Sequence, residues 1–123
     1  MDENRAAGLW GEIFAARFLR DEGYEILSSN YRCRFGEVDL IIRDKNEIAF
    51  VEVKARTKKM IASPLEFVTY GKQKKITLAA SLYYDKCNCK NMTMRFDVIE
   101  VYLNDDLSLE KINHLKNAFD SAL

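Results

Sequence analysis

Two strongly apolar stretches, Val38-Asp39-Leu40-Ile41-Ile42 and Ile48-Ala49-Phe50-Val51-Glu52-Val53-Lys54, flank the turn-like Asp44-Lys45-Asn46-Glu47. Both are rich in β-branched residues, which suit a pleated, half-buried surface. They read as a hairpin, and its register constrains the rest of the chain. If Asp44 faces Glu47 across Lys45-Asn46, then Ile41 faces Phe50, Asp39 faces Glu52 and Glu37 faces Lys54. The opposite face pairs Ile42 with Ala49, Leu40 with Val51 and Val38 with Val53. A slip of one residue would exchange the two faces. One face is thus apolar throughout and needs a covering helix. The other is apolar near the turn and charged at the far end. Two largely buried faces imply a sheet with helices on each side.

The charges at that far end carry the chemistry. Facing carboxylates such as Asp39 and Glu52 repel unless one is protonated or a cation lies between them. Oxygen ligands suit a divalent cation. Lys54 follows Glu52 by two residues and so shares its face, within reach of the same water or phosphate. Ordinary ion pairing remains an alternative, with Glu37 on Lys54 and Asp39 on Arg34 or Arg56. Glu12 shares a helical stripe with Leu9, Ala16 and Leu19 and can point at the sheet beside Gly8 and Ala15, as a further ligand or as a rim residue.

Helical spacing of Leu9, Ile13, Ala16 and Arg20, and of Ala6, Trp10 and Phe14, predicts a helix over about 4–22, ended by Gly23. A weaker strand follows over 24–31. Pro64 lies in a polar stretch that reads as a loop. Thr69 is positioned to cap a second helix over about 70–85 with the stripe Ile76, Ala79, Ala80 and Tyr83. A fourth strand covers about 92–103. Ser108 is placed to cap a last helix presenting Leu109, Ile112, Leu115 and Phe119. The order helix, three strands, helix, strand, helix describes one α/β domain, as 123 residues permit.

Net charge is zero, so the total argues for no partner, but the distribution does. Lys54, Arg56, Lys58, Lys59, Lys72, Lys74 and Lys75 fall in one stretch, a pattern that suits a phosphate-bearing partner or a solvated loop. An odd count of three cysteines, Cys33, Cys87 and Cys89, favours reduced thiols in the cytoplasm over a disulfide framework. No apolar run is long enough for a membrane span, and the N-terminus has no signal-peptide pattern.

Asp39 followed by Glu52-Val53-Lys54 resembles the PD-(D/E)XK nuclease signature, with Val38 in place of the proline. The flanking text is more specific. Gly8-Leu9-Trp10-Gly11-Glu12, Gly36-Glu37-Val38-Asp39-Leu40-Ile41, Phe50-Val51-Glu52-Val53-Lys54-Ala55-Arg56, Lys72-Gln73-Lys74-Lys75-Ile76, Ala79-Ala80, Arg95-Phe96-Asp97-Val98 and Asn117-Ala118-Phe119 are similar, in order, to the YraN-type family. The resemblance implies a restriction-endonuclease-like αβββαβα core, a central mixed sheet flanked by helices, akin to Holliday-junction resolvases. It also implies metal-dependent cleavage of DNA, branched or damaged DNA included. Asp39 and Glu52 would hold Mg²⁺ or Mn²⁺, Glu12 would complete the acidic site, and Lys54 would orient or activate the attacking water. Glu37 and Gln73 stand as accessory residues. Arg56, Lys58, Lys59, Lys72, Lys74 and Lys75 would track a nucleic-acid backbone, and a homodimer would suit paired cuts. Two departures are Ile61-Ala62, where relatives carry an aromatic-glycine pair, and His114, where relatives often carry tryptophan. His114 reads by default as a surface or helix-packing residue. The rival expectations are a nucleic-acid-binding module with the nuclease fold and no robust activity, and a structural or interaction protein.

Overall fold

The computed structural model describes residues 2–59, 68–89 and 91–122. Helix α1 spans Glu3–Asp21, strands β1 Glu25–Cys33, β2 Gly36–Asp44 and β3 Glu47–Thr57 follow, then α2 Tyr70–Lys86, β4 Thr93–Leu103 and β5 Leu109–Phe119. The five strands form one mixed sheet in the order β1-β2-β3-β4-β5, with β3 and β4 parallel and the other pairs antiparallel. The hairpin register expected from the sequence is present from Asp44↔Glu47 through Ile41↔Phe50 to Leu40↔Val51.

Each helix covers one face. On one side Leu40, Ile42, Ala49, Val51, Ile99, Val101 and Leu103 pack against Ala7, Ala15 and Leu19 of α1. On the other, Ile41, Ile48, Phe50, Phe96 and Val98 pack against Ile76, Ala79 and Ala80 of α2. Asp2 caps α1 by accepting the Arg5 N–H at 2.7 Å, and Thr69 caps α2 by accepting the Lys72 N–H at 3.2 Å. Among the described residues no helix is long and apolar enough to cross a membrane.

Two expectations are corrected. The C-terminal segment is a strand, so the order is αβββαββ. Asn104 and Ser108 close a tight connection, with the Asn104 N–H donating to the Ser108 carbonyl at 2.8 Å and Leu107 at φ 68. Asp106 accepts the Ser108 N–H, so Ser108 shapes this turn and caps no helix. The apolar positions 109, 112 and 115 fit a helix, yet β4 would be left with an unpaired edge, and the segment fills it: Val98↔Leu115, Ile99↔His114, Val101↔Ile112. Second, α1 buries Ala7, Gly11, Ala15 and Leu19, whereas Leu9, Trp10 and Ile13 are exposed. Cys87 and Cys89 lie side by side beyond the end of α2, their Cα atoms 5.4 Å apart, and Cys33 stands apart from them. Pro64 and Ile61-Ala62 lie outside the described residues.

Candidate active site

The β2–β3 ladder ends at Leu40↔Val51, one residue short of Asp39 and Glu52. Strict alternation would put Val38 on the α1 side with Leu40. Instead Val38 joins Ile41 in the α2-side cluster, so the phase of β2 changes across Asp39. Asn30 lies between the Ser29↔Leu40 and Tyr31↔Val38 pairs, at φ 54. Where the ladder stops, the Asp39 carboxylate replaces it, its Oδ2 accepting the Val53 N–H at 2.8 Å. That bond holds Asp39 between the two layers, able to meet a carboxyl from each.

It meets Glu12 on one side and Glu52 on the other. Glu12, Glu37 and Asp39 each bring a carboxylate oxygen within 4.8 Å of the others. Burial, then the Asp39 charge and a hydrogen bond to it, push the Glu12 carboxyl up to about 7, with Glu37 adding to the effect. Glu52 is buried on β3. Its burial, then a hydrogen bond and charge from Asp39, push it up to about 8, against the lowering effect of Lys72. The expected conflict between Asp39 and Glu52 is thus present, and Glu12 shares it. Three carboxyls converge where two strands part, and Glu52 meets Asp39 beside them. Oxygen-only donors of this kind suit Mg²⁺ or Mn²⁺ rather than a softer metal.

α1 delivers Glu12 through a close seat on β3. Gly11 faces Ala55 so tightly that a Cβ on Gly11 would clash with the Ala55 Cβ and lie 3.8 Å from Val53 Cγ1. Sequence reasoning placed Glu12 beside Gly8 and missed Gly11. The signal was there as the four-residue spacing of Ala7, Gly11 and Ala15, small residues that let a helix approach a sheet.

The remaining residues divide. Lys54 is half-buried on β3, two residues beyond Glu52. Lys72 stands with the acids, its Nζ 3.1 Å from Glu52 Oε1. Glu37 pairs with Arg32 at 3.6 Å and not with Lys54. Arg34 lies over the Phe35 ring, 4.8 Å from its centroid, away from the role of partner to Asp39. Gln73 donates its Nε2–H to the Val68 carbonyl at 2.8 Å and so braces the entry to α2. Lys58 lies 4.0 Å from Glu110 and Lys59 3.7 Å from Glu3, while Arg56 is opposite Tyr102 in the parallel ladder. Lys74 and Lys75 are exposed on α2. The basic stretch therefore splits between the far end of β3 and the opposite, α2 side of the sheet.

His114 lies on β5 and packs against Phe18 of α1, as the helix-packing reading expects. Its Nε2 lies 2.8 Å from Asp97 Oδ2, and Phe18 and Tyr24 meet its ring edge-on.

A mixed sheet covered by a helix on each face, with acids gathered where β2 and β3 diverge, is an α/β architecture consistent with a restriction-endonuclease-like core. The chain belongs to the uncharacterised protein family UPF0102, whose model matches residues 11–101. This is the YraN-like family that the sequence motifs resemble. A UPF0102 protein of Caldanaerobacter subterraneus subsp. tengcongensis is 48% identical over 116 residues, covering 94% of this chain and 95% of the relative. UPF0102 proteins of Clostridium botulinum strain Loch Maree and Clostridioides difficile strain 630 are each 45% identical, covering 94% of this chain and 95% and 98% of their own lengths.

Proposed function

We propose that this protein hydrolyses phosphodiester bonds in DNA with Mg²⁺ or Mn²⁺ held by Asp39, Glu12 and Glu52. The observation that carries the reading is the meeting of Glu12, Glu37 and Asp39 oxygens within 4.8 Å, with buried Glu52 hydrogen-bonded to the same Asp39. Like charges so close are costly unless they hold protons or share a cation. When bound, such a cation supplies Lewis-acid polarisation of the phosphate and a nucleophile at neutral pH.

The protein's own groups divide the remaining work. Asp39, fixed by the Val53 N–H, is the hub that both other carboxyls touch. In the metal-free site the Glu12 carboxyl, pushed up to about 7, can hold a proton at its side-chain oxygen, which a bound cation would displace. Lys54 presents a point charge suited to a phosphate oxygen. Lys72 offsets the charge of Glu52 from α2.

The test is cleavage of linear, nicked, branched and single-stranded DNA across a panel of divalent cations. Wild type should cut with Mg²⁺ or Mn²⁺, while Asp39→Ala and Lys54→Ala should abolish cutting. Equal cutting by all three proteins would assign the activity to a contaminant. Salt-sensitive DNA binding without cleavage under any cation would instead favour a binding module.

A further inference from the structure

Leu9, Ile13 and Ala16 of α1 and Leu40 of β2 form the apolar wall of a groove, with a cavity volume of about 250 Å³. Glu12 and Asp39 line the same groove, and Ser29 and Asn30 add polar groups from β1. Leu9 and Ile13 are 45% and 41% exposed, although the adjacent core has room only for Ala7, Gly11 and Ala15. Single exposed apolar residues are ordinary. Here two of them border one groove and run directly into the acidic cluster.

We infer that this groove takes one unpaired nucleobase of the DNA strand whose phosphate lies at the carboxylates. The inference rests on the nuclease reading above and names its substrate class. The groove is below the roughly 300–1,000 Å³ of a site for a drug-sized ligand, so it suits one planar ring system. A base has two apolar faces and a hydrogen-bonding edge. Leu9, Ile13 and Ala16 offer a surface for a face, while the Ser29 hydroxyl and Asn30 amide offer both donors and acceptors for an edge. Within a duplex both faces are stacked and the pairing edge is engaged, so a paired base enters only by flipping; an unpaired base enters at least cost. Strands with flaps, branches or frayed ends are therefore the substrates, and intact duplex is a poor one.

The experiment compares two DNAs of identical paired sequence, one fully paired and one carrying a single-stranded flap with 2-aminopurine at its first unpaired position. Binding is measured in Ca²⁺ and cleavage in Mg²⁺ or Mn²⁺. Wild type should favour the flapped DNA by roughly tenfold, the size of burying one ring face of about 50–60 Å² against apolar side chains, with a change in 2-aminopurine fluorescence. The double variant Leu9→Ser, Ile13→Ser should bring the two DNAs to within about threefold, while its Tm and Mn²⁺ binding stay at wild-type values. Asn30→Gly, which removes the amide yet accepts the backbone at φ 54, should lower the preference without touching the wall. Equal use of both DNAs by wild type, or an unchanged preference in the variants, overturns the inference and leaves the nuclease reading standing. Failure to bind or cut either DNA with any divalent cation removes both.

Discussion

At the residue scale the site is governed by proton occupancy. Glu12 and Glu52 have carboxyls raised to about 7 and about 8 from the ordinary 4.5, first by burial and then by Asp39. A carboxyl raised in the folded state binds more protons there than when unfolded. Its stabilising contribution is complete below about 4.5 and is lost as pH rises through 7 and 8. The metal-free protein should therefore lose several degrees of Tm between pH 6 and pH 9 in differential scanning calorimetry. Millimolar Mn²⁺ should recover much of that loss, because a cation favours the ionised carboxyls. Glu52→Gln should flatten the metal-free profile; an unchanged slope in that variant would remove Glu52 as its source. The identities of these residues were legible in the sequence, since Asp39, Glu52, Lys54 and Glu12 stand out as charges beside apolar runs. The contact of Lys72 with Glu52 was not, because nothing along the chain sets where the first turn of α2 lies against β3.

At the scale of elements, α1 is positioned by what it lacks. Gly11 rests on Ala55, and Glu12 is the next residue. Gly11→Ala adds a methyl where the Ala55 Cβ already sits, and overpacking of this kind costs about 1–3 kcal/mol. The variant should melt lower and should lose Mn²⁺ affinity as Glu12 is lifted from Asp39. Adding Ala55→Gly should restore much of both by reopening the seat; independent, additive losses in the double variant would show that the two residues do not share it. The hydrophobic stripe Leu9, Ile13, Ala16 misleads about which side faces in, because a small-residue seat carries little hydrophobic signal. The edges of the sheet show the same priority of tertiary demand. β1 has a register shift between Ile26 and Ser28, and β5 has shifts at both ends of its regular pairing. Such bulges blunt an edge against further pairing.

Across the whole molecule, one buried polar network ties the turn end of the sheet together. Arg95 reaches Asp44 at 2.9 Å, Glu47 at 3.1 Å and Asp97 at 3.1 Å, joining the β2–β3 turn to β4. Asp97, fully buried, also meets His114 and accepts the Asn117 N–H at 3.0 Å, which brings in β5. Burial opposes the charge on Asp97, yet hydrogen bonds from His114, Arg95 and Asn117 outweigh it and hold its carboxyl below the ordinary 3.8. Hydrogen bonding from Arg95 does the same for Asp44. Depressed carboxyls stabilise the fold above their ordinary values, and that contribution is lost as pH falls through the lower, folded-state values. Asp97→Ala leaves Arg95 and His114 buried with a partner missing and should cost about 3–5 kcal/mol at neutral pH, read from urea unfolding. Asp97→Asn should also be less stable at pH 7 but should lose less on acidification than wild type. A parallel acid profile would place the sensitivity elsewhere.

The sequence by itself determined the hairpin and its register from Asp44↔Glu47 to Leu40↔Val51, because the turn and a period of two are local properties that count residues. It also determined the Thr69 cap of α2, Gly23 beyond α1 and the mixed α/β class, whereas the Asp2 cap of α1 was not read from it. Only the tertiary structure decided that residues 109–119 form a strand, since apolar spacing of three points to a helix and the open edge of β4 overrides it. Only it decided that Asp39 turns between the layers to meet Glu12, because that depends on where the β2–β3 ladder stops and how closely Gly11 lets a helix approach. Backbone hydrogen bonds that must be satisfied and side chains that must not overlap act between elements, where the order of residues along the chain is silent.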